Sequence, residues 1–293
     1  MVLDITTVYL KHCICDQHLF TTGHLACWAS APISLILMLR HHIRSELQPE
    51  LQFHFQLHFL SQPHLNLMCS HYQAVKNADR LQQYFGVSPP VPGDLAIKTD
   101  MWPSYLGSFI RAHPYADVGD EAVPPAECLP GLFGLVPHWA DSTKLTKSTF
   151  NARSETAAEK PSFRDAWKKA QHCIIAAEAI YEPDWRSGKA VATRISTIDG
   201  SPLGVAGLWS SWKSDKGETV HSFTMLTINA ASHSLMQNFH KPADEKRMVV
   251  ILPPERYLDW LVAKPAGSMD FMLPFAANAL QSEPVATKQK VLL

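Results

Sequence analysis

No sign of charge dominates this sequence: 27 acidic residues face 26 basic ones, for a net charge of -1. That balance excludes holding nucleic acid by bulk positive charge and leaves room only for a local basic groove. Disulfide scaffolding is excluded too, because six cysteines at 13, 15, 27, 69, 128 and 173 are too few and too scattered. Such usage fits a reducing cytosol and predicts a cytoplasmic protein. Long apolar runs are missing as well. The longest in the first part, Leu25 to Leu39, is broken by Ser30, Pro32 and Ser34 and falls short of the roughly 20 residues that span a bilayer. Only Lys11 precedes that run, with Asp4 and Asp16 beside it, so neither a membrane span nor a secretory signal is expected. Cys13, Cys15, His18, His24 and Cys27 match none of the paired spacings of zinc ligands, and no metal site or other cofactor is expected.

Glycine is almost absent before Met68, where only one of thirteen falls, whereas eight of the fifteen histidines lie there. Residues 47–67 are mostly Gln, His, Leu and Phe in near alternation and hold no glycine, a pattern of neither a packed domain nor a solvated linker. Residues 1–67 therefore read as an N-terminal extension, non-native or poorly ordered, with Met68 as the start of the folded chain. The remaining residues carry 23 charges of each sign.

From Met68 onward the local signals agree with one another. Asn77 caps a helix through Leu81, Tyr84 and Phe85 that ends at Gly86. Pro89, Pro90 and Pro92 force an extended connection, and a strand is expected at Leu132 to Val136. Ser162 and Asp165 have capping-box spacing before a helix over Phe163 to Gln171. Cys173 to Tyr181 is an apolar run suited to a buried strand. Asp199-Gly200 between Ala190–Ile198 and Leu203–Trp212 signals a hairpin. Strands at 219–228 and 247–252 and helices near 231–238 and 254–262 complete an α+β domain over 68–265, and residues 266–293, with little period, are expected to fray as a C-terminal tail.

Four places combine polar chemistry with apolar surroundings: Met68-Cys69-Ser70-His71, Asn151-Ala152-Arg153-Ser154-Glu155-Thr156, Ala179-Ile180-Tyr181-Glu182 and Asn238-Phe239-His240. Spacing alone leaves each open. Cys69 reads as a packing residue or a nucleophile. Glu182, directly after an apolar strand, reads as a desolvated acid or base or, more often, as a strand-end carboxylate facing water. His240 reads equally as a surface histidine, and Arg153 as a phosphate ligand or, more commonly, a partner of Glu155.

Taken together these places resemble the SRAP family (SOS-response-associated peptidase), whose members react with abasic sites in single-stranded DNA. The family's opening Met-Cys-Gly-Arg appears as Met68-Cys69-Ser70-His71, and its Gly-x-x-Pro-x-Trp stretch as Gly134 to Trp139. Its Asn-Ala-Arg-x-Glu-Thr segment is matched in full by Asn151 to Thr156. Its Cys…Phe-Tyr-Glu-Trp strand appears as Cys173 through Glu182, with Pro183 in place of Trp, and its His with an Arg-Met pair as His240, Arg247 and Met248, at a longer spacing. The resemblance implies a single SRAP-like domain with a central, mostly antiparallel, barrel-like sheet and a few short helices. It implies that Cys69, once N-terminal, condenses with the abasic aldehyde through its amine and thiol to close a thiazolidine, in a monomer that needs no cofactor. Cys69, Asn151, Glu182 and His240 would then be catalytic, and Trp139, Arg153, His71 and Arg247 would contact DNA. Whether Met68 starts the chain or the chain cleaves itself before Cys69 stays open. Two rival readings are a thiol peptidase or amidase built from Cys69, His240 and Asn151, and a module that only grips single-stranded DNA through Trp139, Arg153, Lys144 and Lys147.

Overall fold

One long strand, β6 (His172–Asp184), organises the fold. From Cys173 to Ile180 its sequence is apolar at both alternating sets of positions apart from Glu178, and all but that residue are buried there, as expected where both faces of a strand are covered. The structure is a computed structural model that describes residues 71–90, 98–118 and 120–285, all within the unit Asn66–Leu293. Met68, Cys69, Ser70, the extension 1–67 with its cysteines and histidines, and residues 286–293 lie outside the described residues.

Along one edge, β6 pairs with β1 (His71–Ala74) and β3 (Leu106–Ala112). Along the other it pairs with β7 (Val191–Thr197) near its end and β8 (Leu203–Lys213) near its start. From β8 the ladder passes to β9 (Thr219–Asn229), then in parallel to β4 (Ala126–Phe133), then to β3 and back to β6. Five strands thus close on one another, which leaves the ring itself without a free edge. β2 (Asp100–Met101), β5 (Asn151–Arg153), β10 (Arg247–Val249), β11 (Ile251–Leu252) and β12 (Leu280–Pro284) extend the barrel. The helices are short: α1 (Ala78–Phe85), α2 (Ser154–Ala157), α3 (Arg164–Lys168) and α4 (Tyr257–Val262). This is the α+β, mostly antiparallel barrel implied by the resemblance. Asn77 caps α1 by accepting from the Arg80 N–H at 3.1 Å, and Gly86 ends it in the left-handed conformation.

Four local expectations are corrected. β7 and β8 do not pair as a hairpin across Asp199-Gly200; they lie end to end on the same edge of β6, and β7 takes β12 as its other partner. The strand expected to reach Val136 stops at Phe133, because Gly134 turns at φ 114° against the Thr146 backbone, where a side chain would collide. Ser162 and Asp165 form no capping box: α3 begins after Phe163 without a side-chain cap, and Asp165 turns to His138 at 3.3 Å. Residues 231–238 hold only a 3-10 turn at Met236–Asn238, since His233 Nδ1 captures the N–H groups of Leu235 and Met236. The expected fraying after 265 is also overturned as far as residue 285. Pro265–Phe271 is 3-10 helical, and β12 pairs with β7 from Leu280↔Thr197 to Pro284↔Thr193. An edge strand held by its backbone ladder needs little hydrophobic period; here only Leu280 is buried.

Above β6, the Trp260 indole N–H donates to Cys173 O at 2.9 Å and its ring stacks on His172 at 3.9 Å. Burial there pushes the His172 pKa down to about 4. An unfolded chain protonates this ring near its ordinary value, so the native state binds fewer protons between the two values. Stability is therefore complete above about pH 6.5 and falls as the pH drops toward 4, by up to about 3 kcal/mol. Urea unfolding at pH 7 and pH 4.5 should show this loss in the unsubstituted protein and a smaller one in His172→Gln.

Candidate functional site

Glu182 sits near the end of β6 opposite Thr193 of β7 and is 2 % exposed. The reading of it as a strand-end carboxylate facing water is thereby overturned. The cover comes from a segment far away in sequence: Phe239 bridges to Asp184, and the His240 N–H donates to Pro183 O at 3.0 Å. That docking seats the His240 imidazole, 4 % exposed, with Nε2 3.7 Å from Glu182 Oε2. Nε2 also lies 3.0 Å from Arg247 O. A carbonyl only accepts, so Nε2 carries the hydrogen. His240 is neither a surface histidine nor relaxed: its φ is +66°, a conformation that costs a non-glycine residue of order 1 kcal/mol or more.

Lys246 holds that conformation. Its ammonium donates to three successive carbonyls, Phe239 O at 3.0 Å, His240 O at 3.0 Å and Lys241 O at 2.8 Å. The long spacing from His240 to Arg247 is thus a loop gathered around one cation. Lys246→Met is expected to release His240 and slow any reaction that uses it, while Lys246→Arg restores part of the rate; single-turnover kinetics of the three proteins would check this.

Arg247 is 3 % exposed, and both terminal nitrogens of its guanidinium are engaged. Its guanidinium donates to both Glu155 oxygens at 2.8 Å, to Glu245 at 2.9 Å and to Thr227 O at 2.8 Å. Burial works against its charge, but the hydrogen bonds it donates to Glu155 and Glu245, with the charges of those carboxylates, outweigh it and hold its pKa above the usual value. Arg247 was expected at the DNA. In the structure its two terminal nitrogens turn inward to protein acceptors, where it clasps β9, β10 and α2. Arg153 does not pair with Glu155 either; its Nη1 lies 2.6 Å from Glu245 Oε2, with the side chain 39 % exposed.

Asn151, 9 % exposed, opens β5 opposite Met225 of β9. Arg153, at the other end of this short strand, reaches Glu245 at 2.6 Å, in the 240–247 loop whose His240 docks on Pro183 of β6, so β5 ends beside the loop that carries His240 to Glu182. β1 begins there too, with His71 opposite Tyr181. The His71 ring lies between Trp102 and Tyr181, with Nε2 3.1 Å from Asp100 Oδ1. Burial pushes its pKa down, against the opposing pull of Asp100.

Trp139 is 47 % exposed in the turn after β4. That turn is fastened by the Trp212 indole N–H on Ala140 O at 2.6 Å and by His138 on Asp165. The two cysteines among the described residues are buried; burial raises Cys128 to about 12 and pushes Cys173 well up, so neither supplies a thiolate at neutral pH. Among the described residues no three His, Cys, Asp or Glu side chains are grouped to hold a metal, and no helix is long and apolar enough to cross a membrane. The sequence reading missed Glu245, Lys246 and Trp102. Only the long 240–247 spacing hinted at the first two.

Fold and site together define a closed-barrel domain whose buried carboxyl and imidazole meet at one barrel end beside an arginine clasp. The profile of the family described as SOS response associated peptidase (SRAP) matches residues 68–290, and the chain belongs to that family. The abasic site processing proteins YoqW and YobE of Bacillus subtilis (strain 168) are 31% and 32% identical over 159 residues, 53% of this chain and 67% and 69% of theirs. The mouse abasic site processing protein HMCES is 26% identical over 131 residues, 35% of this chain and 37% of its own length. A crystal structure of a protein from Bordetella bronchiseptica is 47% identical, with a TM-score of 0.67, and the match covers 75% of this chain and all of that one.

Proposed function

We propose that this chain processes abasic sites in single-stranded DNA by covalent capture, using Cys69 as its first residue. The observation that carries the reading is the buried Glu182–His240 pair, 3.7 Å apart, at the strand end where His71 pairs with Tyr181. Cys69 precedes His71 by two residues, and two peptide units reach at most about 7 Å, so an amine at Cys69 has this pair within range. The names of the relatives supply the substrate class.

An abasic sugar opens to an aldehyde. The neutral α-amine, with a reference pKa of about 7.7–8.0, adds to the carbonyl carbon, and loss of water gives an imine. The Cys69 thiolate then adds to the imine carbon, the nitrogen takes a proton, and a five-membered thiazolidine closes; one water leaves overall. Glu182 takes the amine proton and returns it to the departing hydroxyl, while the His240 Nε2–H assists opening of the sugar ring. Asn151 orients the cysteine or the sugar. Arg153 exchanges Glu245 for a flanking phosphate, and Trp139 stacks on a base. Arg247 acts indirectly, by fixing the loop that carries His240. The mechanism requires a free amine, produced either by removing an initiating Met68 or by cutting the Met68–Cys69 bond. One copy of the chain suffices.

Denaturing electrophoresis of the chain beginning at Cys69, mixed with a single-stranded oligonucleotide holding one abasic site, tests this. A shifted band without any reductant is expected. A salt-sensitive complex that leaves no denaturant-stable band would replace the reading with a non-covalent DNA-binding module.

A further inference from the structure

We propose that Trp102 is a stacking platform for the nucleobase next to the abasic position, a role that rests on the reading above. Trp102 directly follows β2, His71 opens β1 and Tyr181 lies on β6, and the three are neighbours across the sheet. The register Tyr72↔Met101 continues to set His71 beside Trp102, and His71 pairs directly with Tyr181. The three rings form one column, with centroids 4.3 Å and 4.1 Å apart and planes within 10° at both steps. His71 is sandwiched between the other two rings; Tyr181 ends the column on β6, and Trp102 ends it on the other side, 44 % exposed. A parallel stack that stops at an exposed indole offers a flat π face for one more planar ring.

Chemistry selects a base over a phosphate at this spot. The Asp100 carboxylate, its side chain 62 % exposed, sits 3.1 Å from the His71 ring, and burial disfavours the charged form of His71. The column therefore places an exposed anion where a phosphate would approach. Location selects DNA over an unrelated planar ligand. Tyr181 immediately precedes Glu182 on β6, and because successive side chains point to opposite faces, the column lines the outer lip of the barrel end whose inner side holds Glu182. A strand whose abasic sugar lies at Glu182 crosses this lip with its next nucleotide. Tethering to β1 through His71 also makes the platform rigid, so little ordering is lost when a base settles on it.

The test uses the full-length protein and single strands carrying a tetrahydrofuran abasic analogue, which has no aldehyde and reports non-covalent affinity alone. Trp102→Leu is expected to bind about 5- to 150-fold more weakly, the range of one lost base stack, and Trp102→Phe to recover most of the loss. When the neighbouring base, on one side or the other, is replaced by a second tetrahydrofuran, Trp102→Leu and the unsubstituted protein should bind equally. Unchanged affinity in Trp102→Leu, or a loss that persists whichever neighbour is removed, overturns the platform and leaves abasic capture standing. An unsubstituted protein that binds neither analogue overturns both.

Discussion

Replacing Cys69 by serine is expected to abolish the denaturant-stable adduct while sparing the step before it. A thiol with a pKa near 8.5 is a few per cent ionised at pH 7 and is intrinsically very nucleophilic. A serine hydroxyl supplies no comparable anion, so ring closure onto the imine fails and the imine hydrolyses on denaturation. The amine remains, however, and the imine still forms. Cys69→Ser should therefore yield a band only when borohydride is added to trap the imine, whereas the unsubstituted chain yields one with or without it. An equally stable adduct from Cys69→Ser without reductant would remove the thiol from the mechanism.

Glu182→Gln should slow adduct formation by about 10²–10⁴-fold, the usual contribution of a placed proton carrier, with affinity for the tetrahydrofuran analogue unchanged. The amide keeps the volume of the carboxyl within a site that is 2 % exposed, so packing survives, but it cannot take the amine proton. A rate loss that tracks a loss of affinity would make Glu182 a binding contact instead.

Local chemistry made much of this protein legible before any coordinates. The Asn77 cap and Gly86 stop needed only four or five neighbouring residues, and the apolar run at Cys173 marked the strand on which the barrel closes. Asn151 to Thr156 identified itself as a segment. What stayed hidden was non-local. Glu182 looked solvent-facing because the residues that cover it, Phe239 and His240, are more than fifty positions away. Arg153 and Glu155 looked like partners because they are two apart, yet one lies on β5 and the other on α2, and each turns to a different residue of the 245–247 segment. Asp199-Gly200 has hairpin chemistry, but β6 is long enough to seat β7 and β8 one after the other, and no local signal reports the length of a strand's partner. Lys246 shows a further limit. A lysine in a polar loop is unremarkable in sequence; its function is set by three carbonyls that converge only after the loop has folded.

The intact mass of the adduct tests the central claim most directly. A chain beginning at Cys69 should give a species equal to protein plus oligonucleotide minus one water, with no primary α-amine left at Cys69. The same chain extended by residues 1–67 and uncleaved should give none, because its Cys69 nitrogen is an amide and its thiol alone forms only a reversible hemithioacetal. A stable adduct of equal yield from the uncleaved chain, or a mass equal to the full sum without loss of water, would contradict capture through the cysteine amine and thiol together.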